Sequence, residues 1–114
     1  MTIQKFEDII AWQRAQDLAE IIYTKFSKSR DYGFRDQICR AVVSISNNIA
    51  EGFERRSDNE FRRFLKISLG SCSEVRSMIY LASRLNYIEK LEEVPLLEKC
   101  AEVNKLIYGL LRSL

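Results

Sequence analysis

Gln37, Arg40, Ser44, Asn48 and Glu51 recur every three or four residues, the spacing that stacks side chains along one face of a helix. An arginine, a glutamine and a glutamate on neighbouring turns could hold a small carboxylate substrate. The same groups could instead make hydrogen-bonded contacts to a neighbouring helix or subunit, because buried amides and charges must be satisfied. A solvated face is the third use of such a stripe. The sequence contains no histidine, which removes Ser-His-Asp and Cys-His nucleophile activation and the Glu-x-x-His ligands of di-iron bundles. An enzyme built on this chain would have to work with carboxylates, arginines and lysines alone. No further signature of one is present, and no catalytic residue, metal ligand or cofactor is expected.

A second set of residues could meet phosphates. Arg62, Lys66 and Arg84 share one helical arc with Ser73, Ser77 and Tyr80, no Asp or Glu falls on that arc, and Arg55 and Arg56 lie just before it. Five cations along one edge could track a nucleic-acid backbone, each neutralised phosphate steepening the salt dependence of binding. Glu54, Asp58 and Glu60 dilute the field, and 18 Lys and Arg against 16 Asp and Glu leave a formal charge of only +2. Net charge therefore does not by itself indicate a nucleic-acid partner. A basic arc is also what an ordinary solvated helix face looks like, although oligomerisation would repeat it around one particle and strengthen binding through multivalency.

Helices must hold these stripes. One proline and four glycines are too few for the turns of a sandwich or barrel, and 114 residues fit one domain spanning 1–114. Four segments carry a helical period. The first runs from about Asp8 to Lys28, with Trp12, Ala15, Ala19, Ile22, Tyr23 and Phe26 on one face and Leu18 beside them. A polar loop, Ser27 to Gly33, follows. The second helix, about Phe34 to Phe53, turns Ile38, Ala41, Val42, Ile45 and Ile49 inward. Gly52 is expected to end it as a C-terminal cap, and Ser57 with Glu60 to start the third as a capping box. That third helix continues to about Leu85 with Phe61, Phe64, Leu65, Ser68, Cys72, Val75, Ile79 and Ala82 on its core arc. After a break at Asn86 and Tyr87, the fourth places Leu96, Cys100, Val103, Leu106, Ile107, Leu110 and Leu114 in register, with Pro95 expected in its first turn. Short connections between four helices imply an all-α, antiparallel up-down-up-down bundle.

Two helices carry more apolar surface than one bundle buries. Ile67, Gly70, Ser71, Glu74, Met78, Leu81 and Leu85 form a second stripe on the third helix, away from its core arc. Gly70 and Ser71 permit close approach, either within the bundle or in a homo-oligomer paired through the second and third helices. Cys39, Cys72 and Cys100 are widely spaced in apolar stretches with no C-x-x-C pair, and are expected to be buried free thiols. The start, MTIQKFEDIIAWQRAQ, has neither a secretory pattern nor a membrane span, so a cytoplasmic protein without a membrane partner is expected.

The motifs FEDIIAWQRAQDL, DYGFRDQICRAVVSISNNIAEGFERRS and EFRRFLKISLGSCSEV together resemble the 23S rRNA-intervening-sequence protein family of bacteria, which includes the accessory variability determinant of diversity-generating retroelements. The middle segment carries Gln37, Arg40, Ala41, Ser44, Ile45, Asn48, Ile49, Ala50, Glu51 and Gly52 at the family's spacing. Departures are few: Ser27 stands where proline is frequent, Cys39 where a second arginine is, Ser68 for alanine and Val75 for leucine. The resemblance implies a four-helix bundle assembled as a homopentamer around a central channel. It further implies RNA or DNA and a protein such as a reverse transcriptase as partners, by likeness to the retroelement members. It constrains fold more than function.

Overall fold

The computed structural model describes residues 2–114. A 3-10 turn at Phe6–Asp8 leads into four helices, α1 (Ile10–Phe26), α2 (Tyr32–Glu54), α3 (Asp58–Arg84) and α4 (Lys90–Ser113), and no strand occurs among the described residues.

The helix boundaries follow from local chemistry. Asp31 caps α2 by accepting the Phe34 amide, so this helix begins inside the stretch expected to be a loop. Ser57 caps α3 through the Glu60 amide at 3.3 Å. The Glu60 carboxylate does not complete the expected box; it turns to Arg63 instead. A reciprocal box does form at α4, where the Glu89 and Glu92 side chains each accept the other's backbone N–H. Just past the end of α3, Asn86 has a φ of 62°, and the Asn86 amide reaches the Ser83 carbonyl (3.1 Å) while the Tyr87 amide reaches Ala82 (2.8 Å). Those two bonds satisfy carbonyls that the last turn would otherwise leave open.

Two expectations about special residues are corrected. Gly52 does not end α2. It lies buried inside the helix, and the left-handed residue after it is Arg56, at φ 56°. The glycine is needed for another reason: a Cβ there would stand 2.5 Å from the Cβ of Phe64, so α2 and α3 touch backbone to side chain at this point. Pro95 is the sixth residue of α4 rather than a first-turn residue, and the helix runs through it from Lys90 to Ser113. The carbonyl that its missing N–H leaves unbonded is that of Leu91, a residue 84% exposed, where water can take the place of the amide.

Successive helices pack side by side, and the paired residues fix their register. Gln16 meets Ser46 and Phe26 meets Phe34 between α1 and α2; Gln37 meets Glu74, Ser44 meets Ser71 and Phe53 meets Phe61 between α2 and α3. Ser83 meets Glu93, Cys72 meets Cys100 and Arg62 meets Leu114 between α3 and α4, and Lys25 with Glu92 links α1 to α4. In each pair of successive helices, rising numbers on one face falling numbers on the next.

The inward arcs of α2 and α3 are those the periodicity predicts: Ile38, Ala41, Val42, Ile45 and Ile49 are buried, as are Phe61, Phe64, Leu65, Ser68, Cys72, Val75, Ile79 and Ala82. On α1 the buried line is Ala11, Ala15, Leu18, Ile22 and Phe26. Trp12 is only partly covered, against Phe6, and Tyr23 is exposed, so the core seam lies rotated from the expected one. The two polar side chains in the core are satisfied, Ser68 donating to the Ile45 carbonyl at 2.9 Å and Ser46 accepting from Gln16 at 2.9 Å.

Candidate nucleic-acid interface and polar seam

The polar stripe of α2 divides into an inner and an outer part. Asn48 donates to both the carbonyl and the hydroxyl of Ser44, at 2.7 and 2.9 Å, and Ser71 of α3 donates to the same hydroxyl at 2.9 Å. Nearer the start of α2, Gln37 donates to the Glu74 carboxylate at 3.1 Å. Gln37, Ser44, Asn48, Ser71 and Glu74 thus line one hydrogen-bonded seam between α2 and α3. Half-buried Asn48 thus finds partners for its amide N–H groups, which accounts for a weak helix former beside the apolar stripe of α2.

Glu51 stands outside this seam, whereas Arg40 lines an open cleft together with Gln37, Ser44, Ser71 and Glu74. Glu51 accepts from Arg55 at 3.2 Å, and exposed Arg40 makes no salt bridge among the described residues. Gln37 and Arg40 share that cleft but Glu51 does not, so the three groups of the stripe do not converge on one point as a carboxylate site built from them requires. Gly70 stands apart too, exposed and with no atom within 4 Å of the place its Cβ would occupy. It does not ease a crossing inside this bundle.

The cations gather at the start of α3. Asn59, Arg62, Arg63, Lys66 and Ile67 line a shallow open groove there. Arg62 is partly engaged, donating to the Leu114 carbonyl at 2.6 Å and to Asn59 at 3.0 Å. Arg55 pairs with Glu51 and lies over the Phe64 ring, while Arg56 lies over Phe53, 3.9 Å from Glu54. Lys66 and Arg84 make no salt bridge among the described residues. Eighteen residues separate them, roughly 27 Å of helix at 1.5 Å per residue. Of the five candidate cations, these two are the least committed to the fold.

Arg63 is a residue that the sequence reading passes over. It grips both carboxylate oxygens of Glu60, at 3.1 and 3.2 Å, and lies 4.6 Å above the Phe64 ring. The hydrogen bond from Arg63 holds the Glu60 carboxyl below its ordinary value. The signal that could have found it is the three-residue spacing of Glu60 and Arg63 on one helix.

All three cysteines are buried free thiols. Burial pushes the Cys39 thiol up, and Cys100 is pushed up by its hydrogen bond with Cys72 and then by burial. Neither is poised as a nucleophile. Among the described residues no cluster of acidic, histidine or cysteine side chains could hold a metal, and no helix is long and apolar enough to cross a membrane.

Comparison with known proteins identifies the chain's relatives. No curated protein matches it. A crystal structure at 1.70 Å of a protein of unknown function from the S23 ribosomal protein family of Bacteroides thetaiotaomicron is similar, with a TM-score of 0.83 and 22% sequence identity over 90% of this chain and 96% of that one. At that identity the likeness speaks for the fold alone. A family model described as 23S rRNA-intervening sequence protein matches residues 7–109, nearly the whole length. The chain belongs to the 23S rRNA-intervening sequence protein family.

Proposed function

We infer that the chain is a non-enzymatic scaffold that assembles as a homo-oligomer and binds nucleic acid along the outer face of α3. The observation that carries this reading is the basic groove of Arg62, Arg63 and Lys66, with Lys66 and Arg84 held on an exposed helix face with no carboxylate paired to them. Exposed lysine and arginine side chains without a carboxylate partner can exchange counterions for phosphates.

Assembly is supported by a separate arc of the same helix. Ile67, Leu81 and Leu85 are 42, 45 and 44% exposed, and Gly70 lies between them with open space above it. A second copy would cover this stripe, and family resemblance implies five copies of an up-down-up-down bundle, a form with which the pairing of successive helices agrees. The same exposed aliphatic stripe favours a second reading, an adaptor that binds a protein such as a reverse transcriptase without touching nucleic acid.

Fluorescence anisotropy with labelled RNA and DNA separates the two. The scaffold binds at low salt and weakens steeply as salt rises, and Lys66→Glu with Arg84→Glu lowers the slope of log affinity against log salt by about 0.7–0.9 for each phosphate that is no longer neutralised. These positions test the surface more cleanly than Arg62, which ties α3 to Leu114. Absence of binding at low salt, together with recovery of a protein partner after nuclease treatment, would favour the adaptor.

A further inference from the structure

The exposed face of α3 carries a polar ridge, interrupted by Leu69 between Lys66 and Ser73. Arg62, Lys66, Ser73, Ser77, Tyr80 and Arg84 follow one another at intervals of three, four or seven residues, and so fall in line along the helix for roughly 33 Å. From Lys66 onward every one of them is exposed, and no Asp or Glu stands among them. The carboxylates nearest in sequence are occupied elsewhere: Glu60 by Arg63, and Glu74 by Gln37.

One residue of this ridge is out of place on a purely electrostatic surface. Tyr80 is 50% exposed and makes no side-chain hydrogen bond or ring contact among the described residues. Exposed Arg76 and Arg84 lie one turn to either side of it, four residues before and four after. An uncovered aromatic ring bracketed by guanidinium groups suits a nucleotide whose base stacks on the ring while its neighbouring phosphates meet the cations. The Ser73 and Ser77 hydroxyls, in the preceding turns, can reach sugar or phosphate oxygens. In a duplex the base faces are already stacked on one another, and Tyr80 would have nothing to pair with.

We propose that the α3 ridge is a binding track for single-stranded nucleic acid, with Tyr80 as its stacking platform and Lys66, Arg76 and Arg84 as its phosphate contacts. This rests on the nucleic-acid reading above and sharpens it from any polyanion to an unpaired strand. The apolar stripe of Ile67, Leu81 and Leu85 lies on a neighbouring arc of the helix, so self-association through that stripe leaves the track open.

The test compares Tyr80→Ala, Tyr80→Phe and Lys66→Glu with the unaltered chain, using a labelled single-stranded RNA and a duplex RNA of the same length. The single strand binds more tightly than the duplex. Tyr80→Ala weakens single-strand binding about tenfold and leaves duplex binding unchanged, Tyr80→Phe binds like the unaltered chain, and Lys66→Glu weakens both. Circular dichroism of Tyr80→Ala shows full helicity, alanine being the best helix former at an exposed site. Equal affinity for the two RNAs, or a Tyr80→Ala variant that binds the single strand undiminished, overturns the stacking track while the general nucleic-acid reading stands. Failure of the unaltered chain to bind either RNA at low salt overturns both.

Discussion

Gly52 and Gly70 stand on helices packed against each other, and a methyl group has opposite consequences at the two positions. At Gly52 it would meet the Phe64 Cβ at 2.5 Å and the Phe61 ring at 3.2 Å. Gly52→Ala is therefore expected to lower stability by about 1–3 kcal/mol, read as a lower urea midpoint with an unchanged slope. At Gly70 the space is open, and Gly70→Ala is expected to raise the stability of the single bundle by up to about 1 kcal/mol through helix propensity. Both glycines read in the sequence as breaks or points of close approach. Only the structure separates them, because a Gly has the same local signature whether it caps a helix, admits the Phe64 side chain of the next helix as at Gly52, or faces open space as at Gly70. The thiols were plainer. Cys39, Cys72 and Cys100 lie in apolar stretches and are buried, so a maleimide is expected to label the native chain slowly at all three and rapidly after denaturation.

Helix ends hold much of what the periodicity left open. The core arcs of α2 and α3 could be read by counting, because a wide apolar stripe at a 3.6-residue period has one way to turn inward. On α1 the periodicity points inward at Trp12 and Tyr23, yet Trp12 is only partly covered, by Phe6 from a 3-10 turn that periodicity does not report, and Tyr23 faces outward. The contact between Tyr87 and Asp31 is not legible in the sequence, because two segments 56 residues apart meet only once the helices are stacked. Tyr87 donates to Asp31 at 2.6 Å, and its ring packs edge-on against Phe34. That bond, with the Phe34 amide second, holds the Asp31 carboxyl below its ordinary value, and it holds the Tyr87 hydroxyl above its own. The Asp31 contribution is thus complete above about pH 4 and is lost as pH falls through the lowered value. The Tyr87 contribution is complete below about pH 10 and is lost as pH rises through the raised value. Asp31→Asn is expected to shorten the acid limb of a plot of urea midpoint against pH without abolishing it, since Glu60, Glu92 and Glu93 are lowered as well. Tyr87→Phe is expected to remove part of the alkaline limb in the same measurement. At the other end of α3, Ser57→Ala is expected to cost about 1 kcal/mol as its cap on Glu60 is removed, which thermal denaturation would register.

At the scale of the whole molecule, the sequence pointed to surplus faces, and the fold sorts them. The polar stripe of α2 is in part spent on hydrogen bonds to Ser71 and Glu74 of α3, whereas the aliphatic stripe of α3 and its basic ridge from Lys66 onward carry no such partners. Residue types alone could not separate these uses, because Ser71 and Gly70 are adjacent in sequence and point to different surroundings. An assembly through the exposed stripe accounts for Ile67, Leu81 and Leu85 together and would display the basic ridge several times around one particle. Light scattering coupled to size exclusion, on protein freed of nucleic acid by nuclease, tests that claim most directly. The expected result is a multiple of the 13.4 kDa chain mass, five-fold for the pentamer proposed above, with Leu81→Arg shifting it towards a single chain that keeps its helicity. A mass of 13.4 kDa for the unaltered chain at all concentrations would contradict it.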